Sequence, residues 1–271
     1  MSLRPSPLLI ILLLVIQGLA IQGQDLVLPQ PYGGPAALRS LLSSEMHYPL
    51  AELQQKVKGK VVLRFFVSRE GTLQRIRVES GLSGALDAEA LRLLRLIRWE
   101  PALYQGQPIE KDHLLTLHFH PGQYHRIVRS RGYDAPPFPY LPFDTSVYIF
   151  PLERTTTSPS PVYPGGCLSM RDFILKNMSY PPAALKLGIS GNVEVQLVVE
   201  PSGRSSNVRV IRGIGGGCDE EAQRLVSLLH WVPATVEGRY VRCEMRINIT
   251  FALPEGSDYR YFPTHQGTSV Q

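Results

Sequence analysis

Apolar positions along this chain change period in a fixed order, and the order occurs twice. In "GPAALRSLLSSEMHYP" the residues Leu38, Leu41 and Leu42 recur at helical spacing, as Met170, Phe173 and Ile174 do in "GCLSMRDFILKNMSYP". Each stretch predicts a short helix. A second short helix is expected over 49–55 and again over 181–187, where the proline of a Tyr-Pro pair is tolerated in the first turn. The period then drops to two: Val61, Leu63, Phe65 and Val67 alternate with Val62, Arg64 and Phe66, and Val193, Val195, Leu197 and Val199 alternate with Glu194 and Gln196. Both runs predict strands with one buried face. "SREG" and "EPSG" predict tight turns with Gly71 and Gly203 at positive φ, and the return strands carry Ile76 and Val78, or Val208 and Val210. After a glycine-rich break, Asp87 and Asp219 are suited to cap a longer helix. Its apolar stripe is Ala90, Leu93, Leu94 and Ile97, or Ala222, Leu225, Val226 and Leu229. Arg92, Arg95 and Arg98 fall on the other side and read as a solvated face. A closing strand is expected over 109–119 and 241–251.

The two series superpose at a constant offset of 132, which pairs Tyr48 with Tyr180, Gly71 with Gly203, Asp87 with Asp219, Trp99 with Trp231 and Phe119 with Phe251. An offset held without a gap from 31 to 121, through apolar and turn positions alike, is a duplicated domain. Hairpin, helix and strand make an α+β layer. We therefore expect two copies of a small domain, each a three-stranded antiparallel or mixed sheet in split βαβ order with the first strand central. One long and one or two short helices pack each sheet. The third strand then lies on an edge. In the second copy Arg242, Glu244, Arg246, Asn248 and Thr250 are expected to point outward from it, while its main-chain donors and acceptors stay available to another strand.

The first copy spans 31–121 and the second 163–253, joined by a linker over 122–162 and followed by a tail over 254–271. The linker is rich in proline, as an extended and stiff connector would be, but its aromatic residues (Tyr124, Tyr133, Phe138, Tyr140, Phe143, Tyr148 and Phe150) predict packing against one or both copies.

Ahead of the first copy, Arg4, the apolar run "LLIILLLVI" and the small residues Ala20 and Gly23 read as a signal peptide over 1–23. Even counted over 8–21 the run holds 14 residues, short of the about 20 a spanning helix needs. Retained, the same segment would be an inner-membrane anchor. Beyond it 27 basic residues face 23 acidic ones with no block of five like charges, which gives no ground for a nucleic-acid partner. Cys167, Cys218 and Cys243 all fall in the second half; in an exported protein two can pair, and the sequence leaves open which.

Candidate chemistry is sparse. His113, His118, His120 and His125 gather in "HLLTLHFHPGQYH", with His118 and His120 on one strand face, a spacing a transition metal accepts. Their counterparts are Met245, Thr250, Ala252 and Ser257, and no carboxylate or thiol completes the set, so neither metal nor cofactor is expected. "GIGGGC" follows a strand and precedes a helix but lacks the Gly-Lys-Ser/Thr ending of a phosphate loop. Trp99 and Trp231 read as large residues closing each core. No nucleophile, base and orienting group fall in a catalytic context, and no enzyme is expected.

The ordered set Gly-Gly, helix, Tyr-Pro, Gly-x-Val-x-Val, turn glycine, Asp-x-Glu-Ala and Trp-x-Pro-Ala is carried in full by both copies. It runs through "YPLAELQQKVKGKVVLRFFVSREG" and "LDAEALRLLRLIRWEPA", and again through "YPPAALKLGISGNVEVQLVVEPSG" and "CDEEAQRLVSLLHWVPA". Over about two thirds of the chain it resembles the TonB C-terminal domain, in the form common in Bacteroidetes-type bacteria. The resemblance implies a periplasmic domain that grips TonB-dependent outer-membrane transporters. Such a domain pairs a sheet edge with an extended partner segment and touches the partner just before the Tyr-Pro. Carried onto this chain, the implied partner-binding residues are Asn177, Tyr180, Pro181, Arg246, Asn248 and Thr250 in the second copy, and Glu45, Tyr48, Pro49, Thr116 and His118 in the first. The family often has Gln three positions before the tyrosine; Asn177 is nearer to that than Glu45, so the second copy is expected to be the binding one. An energy-transducing TonB also has a polar-marked membrane helix and a long Pro-rich spacer, and neither is evident. Three readings stay open: capture of a transporter or other envelope protein, an assembly module whose edges pair within the chain or in a homodimer, and an anchored transducer.

Overall fold

The structure is a computed structural model, and it describes residues 26–131, 144–163 and 166–253. The expected signal peptide over 1–23 and the tail over 254–271 lie outside the described residues.

In the first copy the elements run α1 (Gly34–Glu45), α2 (Leu50–Gln54), β1 (Gly59–Val67), β2 (Leu73–Ser80), α3 (Gly84–Leu96), β3 (Lys111–Phe119) and α4 (Pro121–Arg131). After β4 (Ile149–Phe150) the second copy follows with α5 (Met170–Asn177), α6 (Pro182–Leu187), β5 (Gly191–Val199), β6 (Ser205–Arg212), α7 (Cys218–Leu228) and β7 (Arg239–Phe251). In both sheets the first strand lies between the other two, β2-β1-β3 and β6-β5-β7; the second sheet continues beyond β7, where Ala234–Val236 and β4 join it, and so has five strands where three were expected. Within these three-strand sets the pairings are antiparallel, with Val62 opposite Thr116 in one copy and Glu194 opposite Asn248 in the other. The sequence offset survives down to irregularities. The hairpins slip register at equivalent places, and the equivalent residues Arg75 and Asn207 both have φ 49.

Each helix-covered face is the core. Val61, Leu63, Phe65 and Val67 of β1 are fully buried against Ala90, Leu93 and Leu94 of α3, and the second copy repeats this with β5 and α7. Trp99 and Trp231 close these cores at 2% and 1% exposure. Asp87 is not the cap expected of it. Ser83 caps α3 by accepting from the Leu86 amide, while Asp87, inside the first turn, accepts from the Leu82 amide at 2.8 Å. Asp219 does the same for Ile214 at 2.9 Å. The aspartates thus fasten the preceding loop, which must approach closely: a Cβ on Gly81 or Gly213 would lie 2.4 or 2.2 Å from the carboxylate.

The stretch expected as a connector contributes regular structure. α4 folds back on the first copy and buries Tyr124, whose ring lies 5.4 Å from that of Tyr48. β4 pairs in parallel with Arg242 and Cys243, and Ser160–Val162 pairs with His230–Val232.

The two copies pack together asymmetrically, with β6 lying against α1 and the 96–98 segment of the first copy. Asn207 donates to the Leu96 carbonyl at 3.0 Å and accepts from the Arg98 amide at 2.7 Å. Tyr32 is sandwiched between the guanidinium groups of Arg98 and Arg209, at 4.9 and 4.1 Å. Arg98 also pairs with Glu244, so it is not the solvated helix-face residue its spacing predicts. Arg242, expected to point outward, is 2% exposed. It holds both oxygens of Glu200 at 2.8 Å and donates to the carbonyls of Leu96 and Val147. The physical reason is tertiary: the outer face of this sheet is covered by the other copy, so its first strand positions no longer meet water.

Candidate partner-binding edges

The Tyr-Pro pairs hold the entry of each copy in place. The Tyr180 hydroxyl donates to the Ile189 carbonyl at 2.6 Å, and its ring meets Phe251 edge-on at 5.7 Å. Tyr48 repeats both contacts with the Val57 carbonyl and, at 5.9 Å, with Phe119. Pro49 and Pro181 follow with extended backbone and start α2 and α6. Each tyrosine thereby ties the loop before the first strand to the far end of the edge strand.

Sequence reading missed the clamp that sets the residues before these tyrosines. Glu89 accepts from the His47 amide at 2.8 Å, and Arg92, paired with Glu89, reaches the Glu45 carbonyl. Glu221 accepts from the Ser179 amide at 2.6 Å, and Arg224 reaches the Asn177 carbonyl. Arg92 therefore does structural duty and is not merely a solvated helix-face residue. The signal was present, since Glu-x-x-Arg recurs at the same offset of 132.

With their backbones held alike, Glu45 and Asn177 differ in where their side chains go. Asn177 is half-buried and donates to the Phe173 carbonyl at 2.8 Å, at the end of α5. Glu45 turns toward the second copy and accepts from the Ser202 hydroxyl at 2.5 Å. Burial, and then the negative charge of Glu200, push its carboxyl up to about 7. Glu45 is thus engaged by the chain itself.

On β7, Arg246, Asn248 and Thr250 are exposed and lie on the helix-free face, where Arg246 faces Glu194 at 3.6 Å and Thr250 donates to Asn192 at 2.8 Å. Cys243 pairs with Val199 of β5 on one side and with Phe150 of β4 on the other, so β4 already occupies the outer edge there. Among the described residues no strand pairs with the outer side of 244–251. On β3, Thr116 and His118 are exposed, and no described strand pairs with its outer side at all. His113 is separated from the other histidines' surroundings: it packs against Phe65 and Trp99 at 5.7 and 5.2 Å, and burial lowers its pKa. Among the described residues no group of three or more His, Cys, Asp or Glu is placed to hold a metal ion. All three cysteines are free thiols, and burial pushes that of Cys243 up to about 11.

Residues 44–121 and 176–253 each match the family described as Gram-negative bacterial TonB protein C-terminal, together more than half of the chain. Domains of this family are non-catalytic. The chain is also similar to an NMR solution structure of the Helicobacter pylori TonB-CTD, at 17% identity over 31% of this chain and 78% of that one, with a TM-score of 0.26. No curated protein matched the chain. The chain belongs to the TonB C-terminal domain family and carries that domain twice in tandem.

Proposed function

We propose that this chain is a periplasmic protein-binding module that takes up an extended segment of a TonB-dependent outer-membrane transporter, or of another envelope protein, as an added strand on β7. The observation that carries the reading is the outer side of 244–251, which no described strand pairs with and whose end, Phe251, meets Tyr180, in a chain of this family. Eight residues are enough for a full added strand, and main-chain hydrogen bonds supply affinity without a sequence motif. Asn177, Tyr180 and Pro181 would then flank the captured segment, with Arg246, Asn248 and Thr250 setting its side-chain neighbours. β3 offers a second edge with Thr116 and His118, but Glu45 is taken up by the contact between copies, so we assign Glu45, Tyr48 and Pro49 no direct part.

The test is binding of peptides from the periplasmic extension of such a transporter, followed by fluorescence anisotropy. Asn248→Pro removes a ladder donor or distorts β7 and is expected to weaken binding at least tenfold, with Thr116→Pro near wild type and folding checked by near-ultraviolet circular dichroism. Binding unaffected by either change sinks edge capture.

One observation favours a second reading for part of the edge. β4 pairs with β7 from within the chain, which is how an assembly module would satisfy its own edges. A homodimer joined through β7 would show as a concentration-dependent mass in analytical ultracentrifugation. The transducer reading rests on 1–23, and sequencing the mature N-terminus in the membrane and soluble fractions decides it.

A further inference from the structure

The contact between copies, with the 144–147 segment, forms a partly open cavity of about 470 Å³, within the range of small-molecule sites. Met46, Leu96, Val147 and Pro201 supply apolar wall. Its charges are the unusual part. The pair Glu89–Arg92 recurs as Glu221–Arg224 and belongs to the fold. Glu45, Glu200 and Arg242 do not recur; the other copy has Asn177, Ser68 and Glu110 at those positions. The domain folds without them, and apolar side chains pack an interface at least as stably as buried ions. Three charged groups at one site are therefore specific to this cavity.

Their bonding leaves one acid over. Glu200 is held through both oxygens by Arg242, Glu89 by Arg92 and the His47 amide, and Asp144 by Ser146. Arg131 donates to the carbonyls of Ser43, Ser44 and Met46. Four carboxylates and three guanidinium groups line the space. Among the described residues no basic side chain forms an ion pair with Glu45: its carboxyl's hydrogen bond is to the neutral Ser202 hydroxyl, and Arg92 and Arg242 act on its charge only through space.

We propose that this cavity is a binding site for a small monocationic amine with an apolar body, its ammonium group seated on Glu45 and its body against Met46, Leu96 and Val147. The site exists only where the two copies meet, so an occupant clamps them together. The groups facing Glu45 are Glu200 and Arg242 from the second copy, and Arg92, Glu89, His47 and Arg131 from the first, with Asp144 on the adjoining segment. Because the Glu45 carboxyl stands near 7, the ammonium finds its anion above that pH and a neutral acid well below it.

The experiment uses the full chain and three probes of similar size and different charge, benzylamine, benzyl alcohol and benzoate, followed by methyl and amide NMR titration. Benzylamine is expected to shift the methyl resonances of Met46, Leu96 and Val147 and to bind at least tenfold more weakly at pH 5.5 than at pH 8. Benzyl alcohol should bind at least tenfold more weakly than benzylamine at pH 8, and benzoate weaker still. Glu45→Gln should level amine and alcohol. Absence of shifts with benzylamine at millimolar concentration, or equal binding of amine and alcohol by the wild-type chain, overturns the proposal, and neither result depends on how the variant folds.

Discussion

At the scale of single residues, the duplication acts as an internal control. Trp231 donates its indole N–H to Ser205 at 2.8 Å, whereas the equivalent Trp99 nitrogen has no partner among the described residues, because Leu73 stands where Ser205 does. Replacing Ser205→Ala should leave a second buried donor unmet and cost about 1–3 kcal/mol, read as a lower urea midpoint. Glu45 gives a pH prediction. Its pKa is raised from 4.5 to about 7 by burial and by Glu200, so the folded state favours the protonated acid. The stabilisation is complete below about 4.5 and is lost as pH rises through 7. With partial exposure discounted, the loss is on the order of 2 kcal/mol. His113 and His230 have lowered pKa values through burial, with Arg204 adding to the second; they act in the opposite sense, destabilising as pH falls below about 6.5. The check is therefore the difference between wild type and Glu45→Gln: their melting temperatures should converge or cross between pH 5 and 8, and parallel curves would contradict the assignment. None of this was legible from Glu45 alone. Its partner Ser202 lies in the other copy, and no local period encodes that contact.

At the scale of elements, the strands were legible because one face of each is buried by its own helix, which imposes a period of two. α4 was not. Its stretch "PGQYHRIVRSR" carries Tyr124, Ile127 and Val128 among charged residues, a stripe too thin to stand out beside a proline-rich segment. β4 was hidden for a different reason, since two residues have no period and are held by the edge they join. That gives a direct test of how β7 is covered. Phe150 packs with Cys243, so replacing Ile149 and Phe150 by Gly and Ser should uncover the thiol. Cys243 should then react with a maleimide at least tenfold faster, at an ordinary thiol pKa. An unchanged rate would mean that β4 does not shield it.

At the scale of the whole molecule, the sequence predicted two domains and a joint, but not that one domain would lie on the open sheet face of the other. Surface positions in a single domain became interior ones, as Arg242 and the first half of β6 show. Asn207 is central to that contact, bonding both Leu96 and Arg98. Asn207→Leu removes both bonds and puts a less tolerant side chain at φ 49; a cost of about 2–4 kcal/mol is expected. Amide exchange at Arg98 should quicken at least tenfold while that of the β1 core stays slow. If both copies lose protection together, the contact is not separable from the folds. The docking also sets the copies apart structurally, since it takes up Glu45 and leaves Arg246, Asn248 and Thr250 exposed. The most direct test of edge capture is photocrosslinking in the periplasm, with a benzophenone-bearing residue placed in turn at positions 248 and 116. The account predicts an adduct from position 248 whose mass spectrum maps to an extended segment of an outer-membrane transporter or another envelope protein. An adduct only to a second copy of this chain, or none from either position, would contradict it.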